Sequence, residues 1–131
     1  MNRRSNNPSR LIVGCGYLGQ RVARRWLQSG STVFATTRSS ANAQLLASAD
    51  IHPIIGDVTA ADGSPASIRN LPEVDTVLWA VGFDRDAHAS YYDVHVEGLL
   101  RILQQTPNNP RVIFISSTGV WGNETTEDVD E

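Results

Sequence analysis

The chain alternates short apolar runs with segments in which apolar residues recur every three or four positions. Residues 10–13, RLIV, form a run that stops at Gly14, the pattern of a strand buried on both faces. From Tyr17 to Ser29 the residues Leu18, Val22 and Trp26, with Ala23 and Leu27 beside them, fall four apart on one helix face. Gly30 stands where a helix would close in the left-handed conformation. STVFATT (31–37) is rich in β-branched residues and predicts a second strand. SSANAQLLASAD (39–50) predicts a short helix opened by a serine cap. IHPIIGD (51–57) predicts a third strand, and Pro53, lacking an N–H for the ladder, confines it to a sheet edge.

VTAADGSPASIRNLP (58–72) reads as loop with a short helical turn, and DTVLWAVG (75–82) as a fourth strand covered on both faces. Tyr91, Val94, His95, Gly98, Leu99, Ile102 and Leu103 trace one stripe of a long helix, closed by Pro107 and Pro110. RVIFISS (111–117) predicts the fifth strand, after which the sequence loses periodicity and turns acidic. Strand and helix alternate without repeats. The expected fold is α/β, a doubly wound parallel sheet over residues 10–131 behind a flexible leader, residues 1–9.

Composition narrows the function classes. A net charge of -3 over 131 residues offers no basic footprint for nucleic acid. No apolar run approaches the ~20 residues of a membrane span, and MNRRSNNPSR has no apolar signal region behind it, so a cytoplasmic protein is expected. Cys15 is the single cysteine, which excludes an internal disulfide and a thiolate zinc site. All 11 residues counted as Lys+Arg are arginines. Without lysine, no Schiff base, P-loop lysine or lysine-assisted proton transfer can come from these residues.

The candidate chemistry sits in LIVGCGYLGQ (11–20), where glycines spaced G-x-G-x-x-G link the first strand to the first helix. In that context Gly14 permits a tight turn, Gly16 lets the backbone approach a diphosphate, and Gly19 lets the helix lie close to the sheet. The helix N-terminus adds free N–H groups and about 0.3–1 kcal/mol toward an anion. A tight turn without a ligand is the alternative. The end of the second strand separates the cofactors that such loops hold. An NAD, FAD or S-adenosylmethionine site normally places an acid there, for the ribose hydroxyls. This chain has ATTRSS (35–40) instead. Arg38, flanked by Thr37 and Ser39, would bind a 2′-phosphate through charge-assisted hydrogen bonds of roughly 1.5–3 kcal/mol each. NADP is therefore expected over NAD, and a methyltransferase-type site is disfavoured. A solvated arginine at a helix start is the plainer reading of Arg38.

Taken in order, GCGYLGQRVARRWLQSG, GDV, WAVG, VHVEGLLRIL and VIFISSTGVWG resemble the extended short-chain dehydrogenase/reductases. The resemblance is to their NAD(P)-dependent epimerase/dehydratase group, which includes nucleotide-sugar epimerases, and it runs from about Arg10 to the end of the chain. It implies a Rossmann fold in which Gly14, Cys15, Gly16, Tyr17, Leu18 and Gly19 form the diphosphate loop. Asp57 and Val58 would then meet the adenine, and Ala80, Val81 and Gly82 the cofactor ribose. Ser116 opens the family's serine pair, and Ser117 would hydrogen-bond the reacting substrate oxygen. The sequence departs from the family pattern at Val13, in place of the first glycine of a G-x-x-G-x-x-G loop, at His95 in place of an asparagine, and at Trp121 in place of a tyrosine. The family's Y-x-x-x-K pair lies farther along than Glu131, so these residues correspond to a front portion of the fold.

His52, His88 and His95 sit in different predicted elements without ligand spacing, so no metal site is expected. Asp84, Arg85 and Asp86, after the fourth strand, read as a solvated loop, with a substrate cleft as the alternative. Cys15 reads as a small residue beside the cofactor, with no base to activate it. The expectation is the NADP-binding portion of an epimerase, dehydratase or oxidoreductase acting on a small-molecule substrate, able to bind cofactor but lacking catalysis alone. A non-catalytic dinucleotide-binding module is the alternative. The resemblance also implies a homodimer contact through the helix over 91–105.

Overall fold

A computed structural model describes residues 7–61, 63–82 and 90–115 of the chain. Five parallel strands form one sheet in the order β3-β2-β1-β4-β5: β1 Ser9–Val13, β2 Thr32–Thr37, β3 His52–Ile55, β4 Thr76–Trp79 and β5 Arg111–Phe114. Helices α1, Tyr17–Gln28, and α2, Ser40–Ser48, connect β1 to β2 and β2 to β3. A π-helical stretch, Asp93–Gly98, leads into α3, Leu99–Gln105.

The apolar runs are continuous because each central strand feeds two cores. Leu11 and Val13 of β1 join Val77 and Trp79 of β4 in one cluster with Ile68, Leu71, Val94 and Ile102. Ile12, between them in sequence, joins Leu78, Val33, Ala35, Ala23, Leu46 and Ile51 in the other. Alternate side chains of one strand thus enter opposite layers. Pro53 lies on β3, at the sheet edge, as its missing N–H requires.

The helix ends follow their sequence signals. The Gly30 N–H donates to the Leu27 carbonyl and the Ser31 N–H to that of Trp26, with Gly30 at φ 87°, which closes α1 on the left-handed glycine. The Ser39 hydroxyl accepts from the Asn42 N–H at 3.2 Å and caps α2. Ser90 and Asp93 exchange two 3.1 Å bonds, Ser90 N–H to the carboxylate and Asp93 N–H to the hydroxyl, in a capping box ahead of the π-helical stretch. The Ser90 N–H bond holds the Asp93 carboxyl below its ordinary pKa.

Several expectations need correction. Leu18 is 44 % exposed; the buried face of α1 is Gly19 and Ala23, with Val22, Trp26 and Leu27 packed beside them. Small residues at that face let the helix approach the sheet. The helix after β4 is not uniformly α-helical, because Asp93–Gly98 is wound as π-helix. Gly98 lies there against the Val58 carbonyl, where a Cβ would come within 3.2 Å. Tyr91, placed on the buried stripe by the sequence pattern, is 57 % exposed, although its ring contacts His95 at 4.3 Å. The segment 58–72 agrees with its reading as loop and turn: among the described residues the Ala60 N–H donates to the Asp57 carbonyl and the Ser67 N–H to that of Ser64. A parallel bridge between Asp57 and Ser67 ties that segment beside the end of β3. β1 starts at Ser9, and the Pro8 carbonyl already accepts from the Thr32 N–H at 2.8 Å.

Candidate dinucleotide site

The carboxyl ends of β1, β2, β3 and β4 meet along one edge of the sheet, where doubly wound folds take their ligands. A groove of about 810 Å³ opens there, within the range of small-molecule and cofactor sites. Gly14, Cys15 and Gly16 line it from the first loop, Thr37, Arg38 and Ser39 from the end of β2, Asp57 and Val58 from beyond β3, and Ala80, Val81 and Gly82 from beyond β4.

The two leading loop glycines serve different ends. Gly14 has φ +87°, and a Cβ there would come within 2.6 Å of Val81 Cα and 2.7 Å of Val81 N. Its loop is therefore pressed against the exit of β4. The Gly14 N–H also donates to the buried Thr36 hydroxyl at 3.3 Å, fixing the loop to β2. Gly16 is exposed, and a Cβ there would meet no atom of the described residues within 4 Å. Packing does not demand glycine at Gly16, which borders the open groove. Gly19 works from below, where a Cβ would lie 2.9 Å from the Gly14 carbonyl and 3.2 Å from Ile12 Cγ2.

The start of α1 is electrostatically prepared for an anion. No side chain caps Gly16 and no acid lies in the first turn, so the first-turn N–H groups keep their capacity for a negative ligand. Cys15 beside them is half-buried, and burial pushes its thiol pKa up, so it stays protonated and unreactive at neutral pH. At the far side of the groove, the Thr37 hydroxyl accepts from the Ser39 N–H at 3.3 Å. The Ser39 hydroxyl is engaged as the α2 cap through its lone pair and keeps its proton to donate. Arg38 is exposed. The Asp57 carboxylate accepts from the Thr59 N–H at 2.9 Å and the Thr59 hydroxyl at 2.7 Å, which fixes it on the rim beyond β3.

Three residues of the glycine motif lie apart from the groove. Tyr17 is 79 % exposed and turned along α1, where Arg21 donates to its hydroxyl at 2.6 Å and sits over its ring. Leu18 is exposed and Gly19 is buried beneath the loop. Ser116, Ser117 and the 83–88 loop lie outside the described residues. The groove also contains Thr36, Asn42, Gly56, Thr59 and Val94, which the sequence reading had not assigned to the cofactor site. The cap at Ser39 was a usable signal for Asn42, since a capping serine places the residue three positions on beside it. Among the described residues, no three His, Cys, Asp or Glu side chains are grouped to hold a metal ion, and no helix is long and apolar enough to cross a membrane.

Below the groove His95 is buried, and its Nδ1 accepts from the Trp79 indole N–H at 3.0 Å. Burial lowers the His95 pKa, which keeps the imidazole neutral and able to accept. At the position where the resemblance leads one to expect asparagine, this histidine ties the π-helical stretch to the end of β4.

The sequence profile of the NAD dependent epimerase/dehydratase family matches residues 11–131. The chain belongs to that family. Among solved structures, the chain is similar to a protein from Bacillus halodurans provisionally assigned as an NAD-dependent epimerase/dehydratase. The two share 16 % identity at a TM-score of 0.66, over 88 % of this chain and 54 % of that one. It is also similar to a provisionally assigned NADP oxidoreductase from Bacteroides fragilis, with 15 % identity, a TM-score of 0.56, and coverage of 89 % and 40 %. A conserved protein of unknown function from Silicibacter pomeroyi gives 17 % identity, a TM-score of 0.56, and coverage of 88 % and 37 %. At these identities the likeness establishes the fold. The chain spans about half or less of the length of each. No curated protein matches it. Family membership implies that the chain binds an NAD(P) dinucleotide.

Proposed function

We propose that the chain binds NADP in preference to NAD and forms the nucleotide-binding portion of an oxidoreductase, epimerase or dehydratase acting at a hydroxyl or carbonyl carbon, nucleotide sugars among its substrate classes. The observation that carries the preference is the exit of β2. Arg38 lines the groove there with Thr37 and Ser39, and no carboxylate occurs between Thr32 and Ala49. A carboxylate would accept from the ribose hydroxyls of NAD and repel a 2′-phosphate; a guanidinium does the reverse. Bound NADP supplies hydride exchange at its nicotinamide. The chain's own residues hold the diphosphate at Gly14–Gly16, the adenine beside Asp57 and Val58, and the ribose beside Ala80–Gly82. Ser117 is the proposed partner of the substrate oxygen.

Because the 131 residues contain no lysine, they hold cofactor and do not themselves supply the tyrosine–lysine proton transfer of the family. The reading includes a cytoplasmic location and a homodimer through 91–105, where Tyr92, Val96 and Leu100 are exposed four residues apart. Calorimetric titration with NADP and NAD tests the central claim. NADP binds about tenfold or more tightly, since one charge-assisted contact contributes roughly 1.5–3 kcal/mol, and Arg38→Ala erases the difference. Equal affinities in the parent protein, or a preference that survives Arg38→Ala, overturn it.

A further inference from the structure

A second recess, about 370 Å³, lies between α1 and α2 and is floored by Leu27, Leu46 and Ile51. Its upper rim is Cys15, Thr37 and Asn42, and the same three residues line the nucleotide groove. The two spaces therefore share one rim, at the end of β2. Arg38 borders the groove on one side of that rim, and Arg24, on α1, borders the recess on the other. Arg24 also borders the outer surface of α1, beside Arg21 and Arg25; helical side chains as a class lean toward the helix N-terminus, which on α1 is the direction of the glycine loop.

The side chains of Arg10, Arg21, Arg69 and Arg101 are each engaged by a hydrogen bond, whereas Arg24, Arg25, Arg38 and Arg111 have no side-chain hydrogen bond or ion pair among the described residues; of these four, Arg38 borders the groove and Arg24 the recess. Neither α1 nor α2 carries an acid, and α2 carries no cation at all. A phosphate monoester presents three terminal oxygens and a charge near -2, more than one guanidinium satisfies.

We propose that Arg24 is a second determinant of cofactor choice, reaching across the shared rim to the 2′-phosphate from the side opposite Arg38. The proposal rests on the NADP reading above and deepens it: the phosphate is clamped between α1 and the exit of β2. With α2 lacking a cation, the other helix bordering that rim supplies the second charge.

Titration of the full-length protein with NADP, NAD, 2′,5′-ADP and 5′-ADP tests it, using Arg24→Gln, Arg24→Lys, Arg38→Ala and Arg25→Gln. Arg25 is exposed on the same helix but borders only its outer surface, which makes it the control for general electrostatic attraction. Arg24→Gln is expected to weaken NADP and 2′,5′-ADP about tenfold or more, with NAD, 5′-ADP and the melting temperature unchanged. Arg24→Lys recovers part of the loss, and Arg25→Gln leaves all four affinities within about twofold. If Arg38→Ala erases the NADP preference while Arg24→Gln leaves it, the clamp is wrong and the NADP reading stands. If Arg24→Gln weakens all four ligands alike, or Arg25→Gln matches it, Arg24 contributes only general charge and the proposal fails. If the parent protein binds NADP and NAD equally, both readings fail together.

Discussion

Two glycines two residues apart should respond to the same substitution in opposite ways. A Cβ on Gly14 would lie 2.6 Å from Val81 Cα, 2.7 Å from Val81 N and 2.8 Å from Ala80 C, all backbone atoms, at a φ of +87°. The left-handed conformation costs an alanine about 1–2 kcal/mol, and forcing the loop off the exit of β4 adds about 1–3 kcal/mol. Gly14→Ala is thus expected to lose about 2–5 kcal/mol, a large part of the 5–15 kcal/mol that keeps a typical domain folded. At this chain length each kcal/mol lowers Tm by roughly 3–6 °C. Gly16→Ala meets no atom of the described residues within 4 Å and sits at φ -88°, so its stability should stay within about 0.5 kcal/mol of the parent. Its methyl group projects into the space assigned to the diphosphate, so NADP affinity should fall at least tenfold, about 1.4 kcal/mol. Urea unfolding and calorimetric titration of both variants separate the effects. The reasoning fails if Gly14→Ala unfolds at the parent's midpoint, or if Gly16→Ala binds NADP as tightly as the parent.

Two further predictions concern the frame around the site. His95 is buried with its pKa lowered by desolvation, so the unfolded chain takes up its proton before the folded one does. That contribution to stability is complete above about pH 6.5 and is lost as pH falls below it; His95→Asn should therefore show a shallower acid limb in unfolding midpoints measured from pH 8 to 5, and parallel limbs would contradict the assignment. Ser39→Ala removes the α2 cap to Asn42 and should cost about 1 kcal/mol, read as a Tm lower by roughly 3–6 °C; an unchanged Tm would mean the cap contributes nothing.

How much of the fold could be read along the chain depended on how local its cause was. Leu11, Ile12 and Val13 are all fully buried, and three consecutive apolar residues require cover on both faces of a strand. Gly30 closes a helix through bonds to Trp26 and Leu27, within one turn of itself, and Pro53 declares an edge by the bond that it cannot make. The π-helical winding at Asp93–Gly98 had no such signal. It coincides with contacts to Trp79 and Val58, distant in sequence, and periodicity over so short a stretch does not separate a widened turn from an ordinary one.

The candidate groove was legible for a topological reason, and that guide ends where topology gives way to helix geometry. In a parallel sheet every strand delivers its carboxyl end to the same edge, so Gly14, Arg38, Asp57 and Ala80 could be brought together from strand ends alone, and they line one groove. Tyr17 and Leu18 were included because they lie inside the glycine motif, but α1 begins at Tyr17. From there successive residues turn by about 100°, so contiguity in sequence no longer means contiguity in the groove. The same rotation explains Arg24: it lies outside the motif in sequence, yet it borders the recess whose rim the groove shares. A motif written as a string marks where the chain enters the site; the helix that follows decides which later side chains return to it.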